Sequence, residues 1–142
     1  MIIRKCELSD LASVYCLIKK ELDYPDIAEA SFQERLKKMM ELGNYSVYVA
    51  ETNGVVCGFI STVTEFSLEV EGEFLRIIGL AVKTEFQRSG IGSALLMFAE
   101  DNAVKNGYGV ITLSSNFKRA EAHKFYEKMG YGKTSYTFKK FI

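Results

Sequence analysis

Apolar positions along this chain switch between two spacings, near two residues and near 3.6, and the switches mark out its elements. Ile2 to Glu7 reads as a first strand. Leu11, Val14, Tyr15, Ile18 and Leu22 then recur at helical spacing, with Ser9 placed to cap the helix they predict. A second helix is expected from Ser31, where Ser31 and Glu34 match a capping box. It would bury Phe32, Leu36, Met39 and Met40, and Gly43 is placed to end it. Tyr45, Val47 and Val49 alternate as a strand, and Asn53-Gly54 predicts a tight hairpin into a strand over Val55–Val63. Phe74–Val82 is apolar apart from Arg76 and Gly79, which suits a buried strand. Ile91, Ala94, Leu95, Phe98 and Ala99 form one face of a further helix. A short strand over Val110–Leu113, a helix over Arg119–Met129 and a final strand over Ser135–Phe141 complete the chain.

The order β-α-α-β-β-β-α-β-α-β describes a mixed α/β fold with helices on the faces of a central sheet. The hairpins impose antiparallel pairing in the middle. The unit that passes through Ile91–Asn106 asks for a parallel or splayed neighbour. A chain of 142 residues is most economically one domain, 1–142, and buries roughly two-thirds of its unfolded surface without needing metals or disulfides.

Charge excludes some partners. The 18 acidic and 18 basic residues cancel, so no global field favours nucleic acid. After Leu113 seven Lys and Arg face only Glu121 and Glu127, a local excess that fits either a solvated face or attraction of an anionic ligand. Cys6, Cys16 and Cys57 are odd in number and far apart, which reads as free thiols. His123 is the only histidine, so no zinc site is expected. Without an apolar span or leader pattern, the expected location is cytoplasmic, with no membrane partner.

The candidate chemistry begins at Gln87-Arg88-Ser89-Gly90-Ile91-Gly92, between a buried strand and an amphipathic helix. A glycine turn at a helix start leaves N–H groups unpaired at the positive end of the dipole, which suits a phosphate. The dinucleotide fingerprint would need Gly or Ala where Leu95 stands. A P-loop would end in Gly-Lys-Ser/Thr, whereas this loop continues Gly92-Ser93-Ala94. Downstream, Arg119 to Tyr131 carries Ala122, Phe125, Tyr126 and Met129 on one helical face, with Gly130 placed as a C-cap. On helix chemistry alone, Tyr126 reads as a core aromatic.

Taken together, Gln-x-x-Gly-x-Gly and Ala122-His-Lys-Phe-Tyr-Glu-Lys-Met-Gly-Tyr131 resemble the GNAT superfamily of acyl-CoA N-acyltransferases. The resemblance covers essentially the whole chain and implies a GNAT-like mixed, mostly antiparallel sheet flanked by four helices. It implies acetyl-CoA as co-substrate and transfer of its acetyl group to a primary amine of a small molecule. Carried over by position, Leu80, Ala81 and Val82 would pair with the pantetheine arm. Gln87, Arg88, Ser89, Gly90, Ile91, Gly92 and Ser93 would hold the pyrophosphate. Tyr126 would protonate the leaving thiolate as the catalytic acid. Arg119 stands where many members have Asn, and Asn116 is the nearby candidate for that pantetheine contact. Ile78 stands where many members place an acidic base, which leaves Asp23, Glu69, Glu71 and Glu73 as candidates by composition. The stretches Ser114–Arg119 and Ala122–Tyr126 together are also similar to the branch that includes aminoalkylphosphonate and aminoglycoside acetyltransferases.

Other readings fit the same residues. They are a non-catalytic acetyl-CoA sensor, a protein N-acetyltransferase, and a module that binds ATP or NAD through the loop. His123, on the Tyr126 helix, reads as a structural residue before a catalytic one. The final strand would offer an edge through which two copies could pair as a homodimer.

Overall fold

The structure is a computed structural model that describes residues 1–142. It divides into two compact units, Met1–Thr112 and Leu113–Ile142. Strand β1 (Ile2–Lys5) leads through a 3-10 turn (Leu8–Asp10) into α1 (Leu11–Glu21) and α2 (Glu29–Glu41). Strands β2 (Tyr45–Thr52), β3 (Val55–Phe66) and β4 (Glu73–Val82) follow. Then come α3 (Ile91–Lys105), β5 (Ile111–Leu113) and α4 (Ala120–Lys128). The five strands lie in sequence order, and β1–β2, β2–β3 and β3–β4 all pair antiparallel.

The β2–β3 hairpin turns at Asn53 and Gly54 with φ of 50° and 77°, the two left-handed residues that match the twist of the flanking strands. Val14, Leu17, Phe32 and Leu36 of the first two helices pack on Val47, Val49, Phe59 and Ala81. Alternation along β3 sends Ile60 to the opposite face, where α3 packs against β3 and β4 through buried Leu95, Leu96 and Ala99. Leu75 donates its N–H to Val110 O at 3.0 Å, fixing early β4 beside the approach to β5. Helix α3 ends in a Schellman motif: Gly107 has φ 77° and Tyr108 N–H reaches Ala103 O at 2.9 Å.

Several expected boundaries move, each for a local reason. Ser9 caps nothing, because it lies inside the 3-10 turn. Asp10 organises that corner by accepting the Glu7 N–H at 2.7 Å and the Arg4 guanidinium at 2.7 and 3.0 Å. Helix α2 starts at Glu29, ahead of Ser31, and no capping box forms. The Ser31 hydroxyl instead donates back to Ala28 O at 3.2 Å. Gly43 is not a left-handed cap, since α2 closes at Leu42 in an extended conformation.

In the second unit, α4 also ends in a Schellman motif. Gly130 has φ 94° and Tyr131 N–H donates to Tyr126 O at 3.0 Å, so Gly130 is the C-cap glycine that its spacing indicates. The expected strand over Ser135–Phe141 does not form. Those residues find no ladder partner, Tyr136, Phe138 and Phe141 are exposed, and a 3.3 Å contact between the Ser114 and Thr137 hydroxyls anchors the segment within this unit.

Candidate active site

Between β4 and α3 the backbone turns left-handed twice, at Arg88 (φ 61°) and Gly90 (φ 84°). Gly90 takes this geometry without the Cβ penalty that Arg88 bears. The double turn leaves the N–H groups from Arg88 through Ser93 without a protein acceptor. The first helical bond below them runs from Ala94 N–H to Gly90 O at 2.9 Å. Consecutive N–H groups at a helix start, reinforced by the dipole, are an arrangement that suits an anion. The Arg88 side chain is exposed and makes no ion pair, while the Ser93 hydroxyl is half-buried and also unpaired. The Ser89 hydroxyl folds back to donate to Phe86 O.

Gln87 is committed elsewhere. Its N–H donates to Thr84 O at 3.2 Å, and its carboxamide donates to Val82 O at 2.9 Å and to the Glu21 carboxylate at 3.3 Å. The same carboxylate accepts the Thr84 N–H and hydroxyl, each at 3.1 Å. Glu21, the last residue of α1, thus holds the foot of the loop. Nothing in the sequence marks it, because the contact joins residues more than sixty positions apart.

The end of β4 is divided by its register. Lys83 N–H donates to Cys57 O at 2.8 Å, and Ala81 and Gly79 share its phase, so their backbone groups turn toward β3. Leu80 and Val82 turn theirs to the outer edge, which the three-residue β5 is too short to line fully. Of the expected Leu80–Ala81–Val82 surface, Ala81 therefore serves the ladder and its neighbours face outward. Ile78 sits in a register shift, with Ser61 opposite Gly79 and Thr62 opposite Ile77. No carboxylate occupies this bulge. The Ser61 hydroxyl beside it is buried without a partner. Asp23, Glu69 and Glu71 are exposed, and Glu73 is half-buried at the start of β4.

In the second unit, Tyr126 is half-buried on α4, its ring 5.3 Å from Phe125 and 6.3 Å from Tyr131. Its hydroxyl makes no hydrogen bond within the chain. Burial raises its pKa above the ordinary tyrosine value, opposed by the positive charge of Arg119. Asn116 is used locally: its Oδ1 accepts Lys118 N–H at 2.9 Å, and its carbonyl lies 2.9 Å from His123 Nε2. A carbonyl can only accept, so Nε2 carries the proton and His123 is a structural tie at the start of α4. Gly132-Lys133-Thr134 is the chain's Gly-Lys-Thr triplet, but Glu127 stands where a P-loop needs its first glycine and no helix follows. No cluster of metal-ligating side chains exists, and no helix is long and apolar enough to cross a membrane.

A left-handed glycine turn feeds α3 from a buried strand of a mostly antiparallel sheet, in a mixed α/β chain with four helices. The chain belongs to the acetyltransferase (GNAT) family, whose profile matches residues 11–131. It is 34% identical over 142 residues to the aminoalkylphosphonate N-acetyltransferase of Salmonella typhimurium, covering 97% of this chain and 89% of that one. It is 32% identical to the uncharacterized N-acetyltransferase YhdJ of Bacillus subtilis, over 78% of each chain. Among solved structures, a transcriptional regulator from Bacillus halodurans superimposes with a TM-score of 0.90 at 23% identity, over 99% of both chains. The aminoglycoside N-acetyltransferase AAC(6')-Iy in complex with CoA superimposes with a TM-score of 0.86 at 14% identity, over 99% of this chain and 93% of that one. This protein is an N-acetyltransferase of a family that uses acetyl-CoA.

Proposed function

We propose that the protein transfers the acetyl group of acetyl-CoA to a primary amine of a small molecule by direct attack in a ternary complex. The observation that carries the donor half is the run of unpaired N–H groups from Arg88 through Ser93, which suits a pyrophosphate. Gly90 and Gly92 allow close approach of that anion, the Ser93 hydroxyl adds a donor, and Arg88 is free to add a charge-assisted bond. The outward groups of Leu80 and Val82 suit the amides of the pantetheine arm. The Val82 N–H is the candidate donor to the thioester carbonyl as it becomes an oxyanion. Asn116 is proposed as a further pantetheine contact through its amide nitrogen, since its oxygen already serves Lys118.

An aliphatic ammonium has a pKa of about 10, so the acceptor must lose a proton before it attacks. With Ile78 in the β4 bulge, that proton leaves to water or to one of the carboxylates already named. Nitrogen then bonds to the thioester carbon, the C–S bond breaks, and Tyr126 donates its proton to the departing sulfur. The phenol is protonated at neutral pH, as an acid requires, and burial raises its pKa further above that range.

The small-molecule acceptor is favoured by the aminoalkylphosphonate relative, which aligns over nearly the whole chain. The test is a panel of aminoalkylphosphonates, aminoglycosides, polyamines and peptides bearing free N-termini or lysines, with CoA release followed by a thiol reagent. Turnover on a small amine is the expected result. Turnover confined to the peptides would overturn the acceptor assignment and leave the donor assignment standing.

A further inference from the structure

A cavity of about 230 Å³ opens on the α3 face of the sheet, at the end of α3 remote from the Gln87–Gly92 loop. At about 1.5 Å per helical residue, Asn102 in its wall stands roughly 16 Å along the helix from Ile91. The apolar part of the lining comes from buried Ile60, Leu75 and Ala99. The polar part is unusual. Ser46 of β2 and Thr62 of β3 are register partners, so their hydroxyls leave the same face of the sheet side by side. Thr62 is only 6% exposed. The side chains of Ser46, Thr62, Thr64 and Asn102 make no hydrogen bond to any protein group. Tyr48 supplies an aromatic side, held edge-on against Phe98 at 4.7 Å, and its hydroxyl is also unpaired. No acidic, basic or histidine side chain lines the space.

Of the four unpaired side chains Ser46, Thr62, Thr64 and Asn102, only Thr62 is buried; the other three are half-buried along the opening. Hydroxyl and amide groups left unpaired along this mostly polar wall are satisfied by water or by a ligand. The space corresponds to about eight waters at roughly 30 Å³ each. An ionic ligand would lose solvation there and meet no countercharge. A ring with C–H faces for Tyr48 and peripheral hydroxyls for Ser46, Thr62 and Asn102 would satisfy both parts of the lining.

We propose that this cavity is a second binding site, separate from the anion loop, for a neutral hydroxyl-rich molecule the size of one sugar ring. The proposal does not depend on the identity of the acetyl acceptor. It is tested by titrating the ¹⁵N-labelled full chain with D-glucose and with myo-inositol, using glucose 6-phosphate as the charged comparator. The expected result is that a neutral probe shifts the amide resonances of Ser46, Thr62 and Asn102 and leaves Arg88–Ser93 in place. Thr62→Val and Asn102→Ala, whose folding is read from the same spectra, should each weaken the neutral probe about tenfold. The phosphate ester should bind the cavity more weakly than glucose. Absence of shifts at these three residues with both neutral probes, or shifts that neither substitution weakens, would overturn the assignment. So would tighter binding of the ester than of glucose at the cavity. Acetyl-CoA added to the same samples reports on Arg88–Ser93 independently, so a failure of the cavity assignment is distinct from a failure of the donor site.

Discussion

The carboxylate of Glu21 accepts a hydrogen bond from the carboxamide of Gln87 at 3.3 Å, joining the last residue of α1 to the first residue of the Gln87–Gly92 loop. With the Thr84 bonds beside it, this contact fixes the segment from which Arg88–Ser93 springs. Two opposed effects follow. Bracing keeps the N–H groups aligned and favours an anion, whereas a carboxylate near the loop repels one.

The contact is exposed, so solvent screens the repulsion, and bracing should prevail. Glu21→Ala should raise KM for acetyl-CoA about fivefold, the equivalent of roughly 1 kcal/mol from lost hydrogen bonds, with kcat within about twofold. Glu21→Gln, which keeps acceptors for Thr84, should fall between. Steady-state kinetics with acetyl-CoA varied decide the sign. A lower KM in both variants would mean that repulsion dominates.

Gly90 lies in open space, and a Cβ there would meet nothing within 4 Å, yet its φ of 84° suits glycine alone. Gly90→Ala should therefore act through the backbone. It should cost roughly 1–2 kcal/mol of stability and weaken acetyl-CoA binding as the loop relaxes. Thermal unfolding with and without acetyl-CoA separates the two effects. An unchanged midpoint together with unchanged affinity would show that the left-handed turn is not required.

Tyr126→Phe should lower kcat by roughly tenfold to a hundredfold, at or below the lower end of what acid catalysis contributes, because a thiolate leaves readily. Acetyl-CoA affinity should hold. The raised Tyr126 pKa places loss of its proton above the ordinary tyrosine value, about 10. The wild-type rate should accordingly decline only at strongly alkaline pH, and the variant should lack that limb. Equal kcat values for the two proteins would reduce Tyr126 to a packing residue.

Arg4 bridges Asp10 at 2.7 Å and Glu51 at 2.7 Å, pinning the edge strand to the turn before α1. The guanidinium holds the Asp10 carboxyl below its usual range. A depressed folded value means the stabilisation is present above the unfolded pKa, about 3.9, and is lost as pH falls through the folded value. Asp10→Asn should destabilise by roughly 1.5–3 kcal/mol at pH 7 and flatten the acid limb of the stability profile. Urea unfolding at pH 7 and near pH 3 measures both. A difference between the two proteins as large at pH 3 as at pH 7 would contradict the ionic origin.

Much of the fold is legible in the chain because its signals are local. Asn53-Gly54 dictates the hairpin, since few residue pairs accept two left-handed φ values. Gly130 ends α4 as its spacing indicates. The stripes of α1 and α3 carry their periods openly. The misplaced starts have local causes: Ser9 lies inside the 3-10 turn that Asp10 organises, and the Ser31 hydroxyl donates to Ala28 O. Ser135–Phe141 alternates like a strand, yet a strand is defined by the neighbour it pairs with, and that segment has none.

For the site, the sequence by itself determined the glycine turn before α3. Glycine at position 90, a buried strand before it and a helix after it are local conditions for unpaired N–H groups. It also singled out Tyr126 as the side chain proposed to carry proton chemistry. Only the tertiary structure decided how the loop is held. The Glu21 brace and the β4 register, which turns Leu80 and Val82 outward but Ala81 inward, depend on distant partners. So does the facing pair of Ser46 and Thr62. Hydrogen bonds and strand phase are relations between segments, and residue spacing along the chain does not encode which segments meet.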